Sequence, residues 1–400
     1  MIKEKINSDM IKIIPITNSK DFRDLRFEWN KLLSNGNSNT VFLTWEWLYT
    51  WWEAFQEGKE LMILSVRKED DTELIGLLPI YIREDRLFGL KKVKIGEFLG
   101  TGIVCSDYLD IIIRSGFEEI VTNQLVQYLV SQKREFDFLT LSDIPSDSPN
   151  LPTIEKHLKE AGFSLRKLKE SICPFLPLSD SWQGCLKYLS SRTQKNLAYY
   201  QRRLQREFSV EVESGNNQGD SNCGIDILSR LHQNRWESKG EPGLFKNARF
   251  EQFHSNIIRE FSDQGWLRLF FLKLNGQYVA SIYGFRYCDK YYYYQGGFDE
   301  TLKKYSVGQV LLYLYIQRAF EEKSKEFDFL RGVSPYKYEW TEHERHNLTF
   351  FVGRRDVTEK LALLSRDWKA RVRNELKQMM PNRIQKYIRQ KLHSSRIRSG

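Results

Sequence analysis

The chain has 400 residues, 41% hydrophobic and 14% aromatic, which is ample for two globular domains or one large one and too apolar for a disordered chain. Its apolar runs fall far short of the roughly 20 residues of a membrane span; Met1-Ile2-Lys3-Glu4-Lys5 lacks a signal-peptide core; and the five scattered cysteines form neither a metal nor a disulfide pattern, so a reduced cytoplasmic setting without a metal is expected. The formal charge of +9 sits in the tail: from Arg354 onward there are 14 Lys/Arg and 4 Asp/Glu, against 47 and 48 in the rest, which argues against a DNA-binding body.

In chain order, Ile11 to Ile16 reads as a strand, and a helix follows from near Ser19 or Asp21. Trp45, Leu48, Trp52 and Phe55 share one helical face in an aromatic helix. Leu61 to Val66 and Leu74 to Ile82 alternate around a charged turn, the pattern of an antiparallel hairpin. Lys94 to Phe98 and Tyr108 to Ile113 are further strands, Glu118 to Lys133 is a helix, and Phe136-Asp137-Phe138-Leu139 opens another strand. Ile154 to Ala161 is a helix that ends at Gly162.

The second half repeats this order. Leu267 to Leu274 and Tyr278 to Tyr287 form a hairpin around Asn275-Gly276. A tyrosine-rich strand, Tyr291 to Gln295, leads to a Gly296-Gly297 turn. A loop ending in Ser306-Val307-Gly308 opens a helix from Gln309 to Lys323, and Glu326 to Leu330 is the next strand. The tetrad Phe-Asp-Phe-Leu begins at 136 and again at 327. Two copies of one α/β unit are therefore expected, 1–180 and 181–355, followed by a basic helical tail, 356–400. A strand, a short loop and a helix leave the first N–H groups of that helix unpartnered, a ready phosphate site. In the second copy Lys303 and Lys304 precede the helix; in the first, Glu118 and Glu119 stand there and would repel a pyrophosphate. The donor should therefore bind the second copy.

Between the copies, Leu186, Leu189, Thr193, Leu197, Tyr200 and Leu204 form a stripe at helical spacing, crowded by Arg192, Lys195, Arg202, Arg203 and Arg206. This basic surface is either a solvated face or a cationic wall. Leu228 to Gly240 is a further helix carrying His232, Arg235 and Trp236; of these, the Arg235 guanidinium is suited to clamp a carboxylate or phosphate at two points. In the tail, Leu361, Leu364, Trp368, Val372 and Leu376 form one apolar stripe. Beyond Pro381, Ile384, Tyr387, Ile388 and Leu392 form another. The tail either packs on its own domain or docks on an anionic membrane surface or RNA.

Tyr305-Ser306-Val307-Gly308, Phe327-Asp328-Phe329 leading into Arg331-Gly332, Pro335-Tyr336-Lys337, Leu231 to Trp236 and the basic run Arg192 to Arg206 together resemble the GNAT acetyltransferase superfamily. The resemblance is to its CelD-like or BioF2-like branch, which is similar to the Fem peptidyltransferases with their two GNAT units. It spans most of 40–355 and implies α/β architecture in two tandem GNAT-like units, each with a mostly antiparallel sheet flanked by helices. It implies an acyl-CoA, such as acetyl-CoA, held by Lys303, Lys304, Tyr305, Ser306, Val307, Gly308 and Gln309, although Lys303-x-x-Ser306-x-Gly308 departs from the usual loop of that family. Acyl transfer needs a polarised carbonyl, a proton acceptor for the amine and a proton donor for the thiolate. Lys337, Tyr336, Tyr338, Asp107 and Glu339 are the catalytic candidates, with Asp110 and Asp328 as other possible bases; Asp328 is expected to point outward. Arg331, Arg235, Trp236, Arg192, Lys195, Trp47 and Tyr108 are candidates for the acceptor side. The implied acceptor is a small-molecule amine, on an amino sugar or another precursor of a cell-surface polysaccharide. Two alternatives stand beside it: a Fem-like transferase using aminoacyl-tRNA, and a degenerate pair acting as a binding protein.

Overall fold

The computed structural model describes residues 11–69, 73–132, 135–215, 218–238, 240, 243–354, 360 and 362–365. These residues cluster into two units. One runs to Ser171 and resumes at His346; the other is Ile172–Arg345.

Unit 1 begins with β1 (Ile11–Ile16), α1 (Ser19–Asp24), α2 (Arg26–Ser34) and the aromatic helix α3 (Trp45–Phe55). Thr44 caps α3 through its side chain, and Trp47, Trp51, Trp52 and Phe55 are all buried. The hairpin β2 (Lys59–Lys68) and β3 (Leu74–Leu87) forms as its alternation requires, with β4 (Lys91–Phe98) antiparallel to β3. The predicted strand Tyr108 to Ile113 shrinks to β5 (Ile112–Ile113). Tyr108 sits at φ +58, and the buried Asp110 carboxylate accepts from Ser38, Ser148 and Asn150, so side chains rather than a strand partner hold this stretch. Helix α4 (Glu118–Ser131), β6 (Phe138–Pro145) and α5 (Leu151–Glu160) follow, then β7 (Phe163–Pro177), a strand that the sequence reading missed. The sheet of unit 1 has the order β1-β2-β3-β4-β6-β13, with β5 on β3. Its last member, β13 (Glu344–Arg354), comes from the far end of the chain and runs antiparallel to β6.

In unit 2 the 182–208 stripe divides into α6 (Trp182–Leu186) and α7 (Ser191–Glu207), because Ser190 caps α7 through Thr193 N. Strand β8 (Val210–Ser214), α8 (Gln218–Ser238) and α9 (Ala248–Asp263) follow; α9 was not foreseen. Then come β9 (Leu267–Leu274), β10 (Gln277–Tyr287), β11 (Lys290–Phe298), a 3-10 turn at Glu300–Tyr305, α10 (Val307–Glu321), β12 (Glu326–Asp328) and the short α11 (Pro335–Tyr338). The sheet order is β7-β12-β11-β10-β9-β8, with the end of β7 antiparallel to β12. Helix α10 lays Val310, Leu311, Tyr315, Ile316 and Ala319 on the sheet against Phe270, Tyr291 and Phe327, all fully or nearly fully buried. A side chain of this size contributes about 1.5–3 kcal/mol on burial.

The two units share one design. Hairpin, strand, helix and strand recur, and in each the strand after the helix runs parallel to the strand before it. Ile95, Gly96 and Glu97 of β4 pair with Phe138, Leu139 and Thr140; Lys290, Tyr291 and Tyr292 of β11 pair with Glu326, Phe327 and Asp328. Gly296 and Gly297 are not a turn but lie within β11. A Cβ on Gly297 would lie 2.4 Å from His232 N, so this glycine is where α8 comes down on the strand. Tail residues 356–359, Leu361 and 366–400, including Trp368, Val372, Leu376, Ile384, Tyr387, Ile388 and Leu392 of the two expected stripes, lie outside the described residues. Within the tail, Ala362 and Ser365 are buried whereas Leu364 is 59% exposed, so Leu364 does not share an inward face. Among the described residues no helix is long and apolar enough to cross a membrane, and no His/Cys/Asp/Glu group is placed to hold a metal.

Candidate active site

The pairing of β11 with β12 ends at Tyr292 and Asp328, and the part of β11 beyond it shares a cavity with the start of α10. Ser306 takes a left-handed conformation (φ +51) and offers no side-chain cap. The amides of Gln309 and Val310 both turn back to Ser306 O, whereas those of Val307 and Gly308 have no partner among the described residues. The helix starts two residues before its expected Gln309, so the loop residues themselves carry the free amides.

A cavity of about 240 Å³ lies at this point, and Lys303, Ser306, Val307, Gly308 and Gln309 line it. Leu311, Leu312 and Ile282 form an apolar wall. Phe298 packs against Gly308, where a Cβ would come within 3.1 Å of its ring. Arg235 spans the other side: its Nη1 donates to Gly296 O at 3.2 Å and its guanidinium stacks 5.0 Å from the Phe298 ring centroid. Tyr336 and Tyr293 close the cavity, and their phenols interact. Burial pushes both phenols above the usual tyrosine range, and Tyr293 adds to the rise at Tyr336. Both therefore stay protonated at neutral pH. Ser281, also lining the cavity, is 1% exposed, and its Oγ has no hydrogen-bond partner among the described residues.

Residues 191–338 match the family model described as an acetyltransferase (GNAT) domain. The structure is similar to that of FemX, with a TM-score of 0.57 and 11% identity over 85% of this chain and 96% of that one. It is also similar to the C-terminal domain of a putative lysylphosphatidylglycerol synthetase from Agrobacterium fabrum (TM-score 0.51, 12% identity, 88% and 97% covered). A conserved protein from Bacteroides thetaiotaomicron scores 0.54 at 11% identity, with 84% and 99% covered. The chain thus shares the fold of FemX, with the GNAT domain matched over residues 191–338. No curated protein matches it in sequence.

Within that GNAT fold, the sequence candidates divide. Lys303, Ser306, Val307, Gly308, Gln309, Arg235 and Tyr336 meet at one cavity. Lys304 and Tyr305 do not line it. Lys304 Nζ lies 5.0 Å from the Tyr305 ring centroid, and the Tyr305 hydroxyl donates to Glu207. Tyr305 and Arg203 hold the Glu207 carboxyl down to about 2, a structural tie between α7 and the loop. Arg192 and Lys195 are exposed on α7 and do not line the cavity either. Trp236 donates from Nε1 to His232 Nε2 at 2.9 Å and serves to fix that ring.

Lys337 is 5% exposed, and its ammonium donates to the carbonyls of Phe329, Leu330 and Arg331, each at 2.8 Å. Three donors meet three acceptors, so the geometry makes Lys337 a tether for the segment after β12 and not a group facing the cavity. Arg331 lies half-buried in the tethered segment. Tyr338 donates to Glu344, and Glu339 is exposed; neither lines the cavity. Asp328, expected to point outward, is fully buried, accepts from Leu330 N and lies 3.5 Å from Arg345.

In unit 1, Asp107 is 1% exposed and accepts from Asn347 Nδ2 at 3.0 Å, and burial pushes the Asp110 carboxyl up. Trp47 is core, donating to Ser106 Oγ, and Tyr108 is 4% exposed. Sequence reasoning missed Tyr293, Ser281 and Phe298. Tyr293 and Phe298 lie on β11 to either side of the Gly-Gly pair expected to be a turn, and Ser281 pairs with Gly297 from β10.

Proposed function

We propose that the chain is an acyl-CoA-dependent N-acyltransferase whose donor lies at the start of α10. The observation that carries this reading is the pair of free amides at Val307 and Gly308, opening on a cavity with Lys303 beside it. These amides and the helix dipole hold the donor pyrophosphate. The thioester arm runs along β11 past Tyr292, where its pairing with β12 has ended. The acceptor nitrogen attacks the thioester carbon, the C–S bond breaks, and Tyr336 gives its proton to the leaving thiolate. The leaving thiolate, whose conjugate acid titrates at about 8.5, is a weaker base than the phenolate, so Tyr336 protonates it only in concert with C–S cleavage and with arrival of the acceptor's proton at its Oη. The ammonium formed on the acceptor returns a proton through water to Tyr336. Among the described residues no carboxylate or imidazole lines the cavity, so the acceptor enters as the free amine, its ammonium form having lost a proton to solvent before attack. An acetyl donor and an amino-sugar acceptor are the finer reading, supported by the resemblance alone.

A second reading takes aminoacyl-tRNA as donor. One observation favours it. On α7, Arg192, Lys195, Tyr199, Arg202 and Arg206 are all exposed and recur at intervals of three and four, a cationic stripe with a tyrosine at its centre. At about 1.5 Å per residue it runs roughly 21 Å, longer than one nucleotide covers. Thermal shift with CoA, acetyl-CoA and aminoacyl-tRNA separates the readings. A ligand at 100 times its Kd stabilises by about 2.7 kcal/mol. A shift with the CoA species supports the first reading, a shift with charged tRNA alone the second, and none with any of them removes both.

A further inference from the structure

Behind the cavity, β11 carries one residue more than its partner. Tyr283 of β10 faces Gln295, and Gly284 faces Tyr293, so Tyr294 is the extra residue of a β-bulge. A bulge reverses which side chains face which side beyond it. Before it, Tyr291 and Tyr293 point towards Phe327 and the α10 face. Uninterrupted alternation would put Gln295 and Gly297 on that same face. Instead Gly296 and Phe298 take it. A Cβ on Gly296 would point at Tyr293 Oη, 2.5 Å away, and Phe298 packs on Gly308, while Gly297 turns to His232 on α8.

The bulge is held by one ring. His254 of α9 is fully buried, and its Nδ1 lies 3.2 Å from Tyr283 Oη and its Nε2 3.2 Å from Tyr294 Oη. These two phenols belong to the bulged residue and to the residue across from it. Phe245, Phe250 and Phe253 pack around the ring. A neutral imidazole has one donor and one acceptor, the complement of two hydroxyls. Burial, with His232 nearby, holds His254 well below the usual histidine range and so neutral.

We propose that His254 is a positioning residue of the donor site: by tying the bulged Tyr294 to Tyr283 it sets the phase in which Gly296, Gly297 and Phe298 meet the cavity. This rests on the donor-site reading above for its functional consequence, but its structural consequence can be tested alone. His254→Leu keeps much of the volume and removes both hydrogen bonds; His254→Gln keeps a donor and an acceptor. Hydrogen exchange of the 290–298 amides, acetyl-CoA affinity by titration calorimetry, and kcat and KM are compared with the unmodified chain. In His254→Leu, exchange at 290–298 should rise while the unit 1 strands stay protected, and acetyl-CoA affinity should fall about tenfold. His254→Gln should restore both. Unchanged exchange and affinity in His254→Leu would overturn the proposal. A loss of protection spread evenly over unit 2, with no rescue by glutamine, would also overturn it. If His254→Leu does not fold, Tyr294→Phe, which deletes one hydroxyl, decides by the same readouts. If the unmodified chain binds no acetyl-CoA, the donor reading falls, and exchange at 290–298 still decides for or against the clamp.

Discussion

The starts of α4 and α10 occupy equivalent places in two copies of one design, and they have been made into opposites. Neither helix start has a side-chain cap. At α4 two carboxylates stand in the first turn: Glu118 accepts from Gly116 N and from Asn37 Nδ2, and Glu119 pairs with Lys156. At α10 the first turn has no acidic residue, and Lys303 lies at the cavity onto which the helix opens. Negative charge at a helix start suits the dipole but repels a second anion. The difference teaches that the two copies are told apart by the charge at the helix start and not by its capping.

The sharpest test of unit 2 as the working copy is Tyr336→Phe. Losing the proton donor should cut kcat about 100- to 1000-fold with acetyl-CoA affinity unchanged, as measured by steady-state kinetics and calorimetry. Equal loss in both would mean that the phenol only binds. Acid should separate the copies next. His232 is held down to about 4 by burial first and Arg235 second. In the unfolded chain it titrates near 6.5, so as pH falls below 6.5 the unfolded state takes up a proton that the folded state refuses, until about 4. Stability is thus present above 6.5 and declines by roughly 2 to 3 kcal/mol across that window. Hydrogen exchange should show this loss in unit 2; His254, which burial also holds neutral, adds to it, so His232→Gln should lessen the decline without abolishing it.

A milder change would make α10 resemble α4. Gln309→Glu places a carboxylate in the first turn, which should weaken acetyl-CoA binding about tenfold. The same charge suits the helix dipole, so Tm should rise slightly; affinity and Tm moving in the same direction would break the comparison. The smallest effect is expected from Glu118→Gln in unit 1: a slight drop in Tm and no change in donor affinity.

Much of this fold was legible. The repeated Phe-Asp-Phe-Leu marked the two strands that run parallel to their predecessors, Phe138 on β6 and Phe327 on β12. The charge contrast between Lys303-Lys304 and Glu118-Glu119 was legible too, but not that Lys303 alone of the lysine pair would line the cavity. What failed did so for physical reasons. Strand β7 was hidden because its first half, Ser164 to Glu170, carries alternating polar residues on a largely solvated strand with little apolar pattern. Gly296-Gly297 has the composition of a turn, but composition cannot distinguish a turn from a place where a helix comes down on a strand. Lys337 sat where a catalytic group was expected, but its ammonium is used up by carbonyls that fold back from the preceding segment. Asp328 alternates with two phenylalanines, and alternation cannot say that both faces of a strand are covered.

Because β6 is completed by residues 347–353, the first half of the chain leaves the ribosome with a sheet that has one bare edge. It stays bare through the synthesis of everything up to Arg345. The half made earliest is therefore finished latest, and a chain released before residue 347 would present that edge to any neighbouring nascent strand.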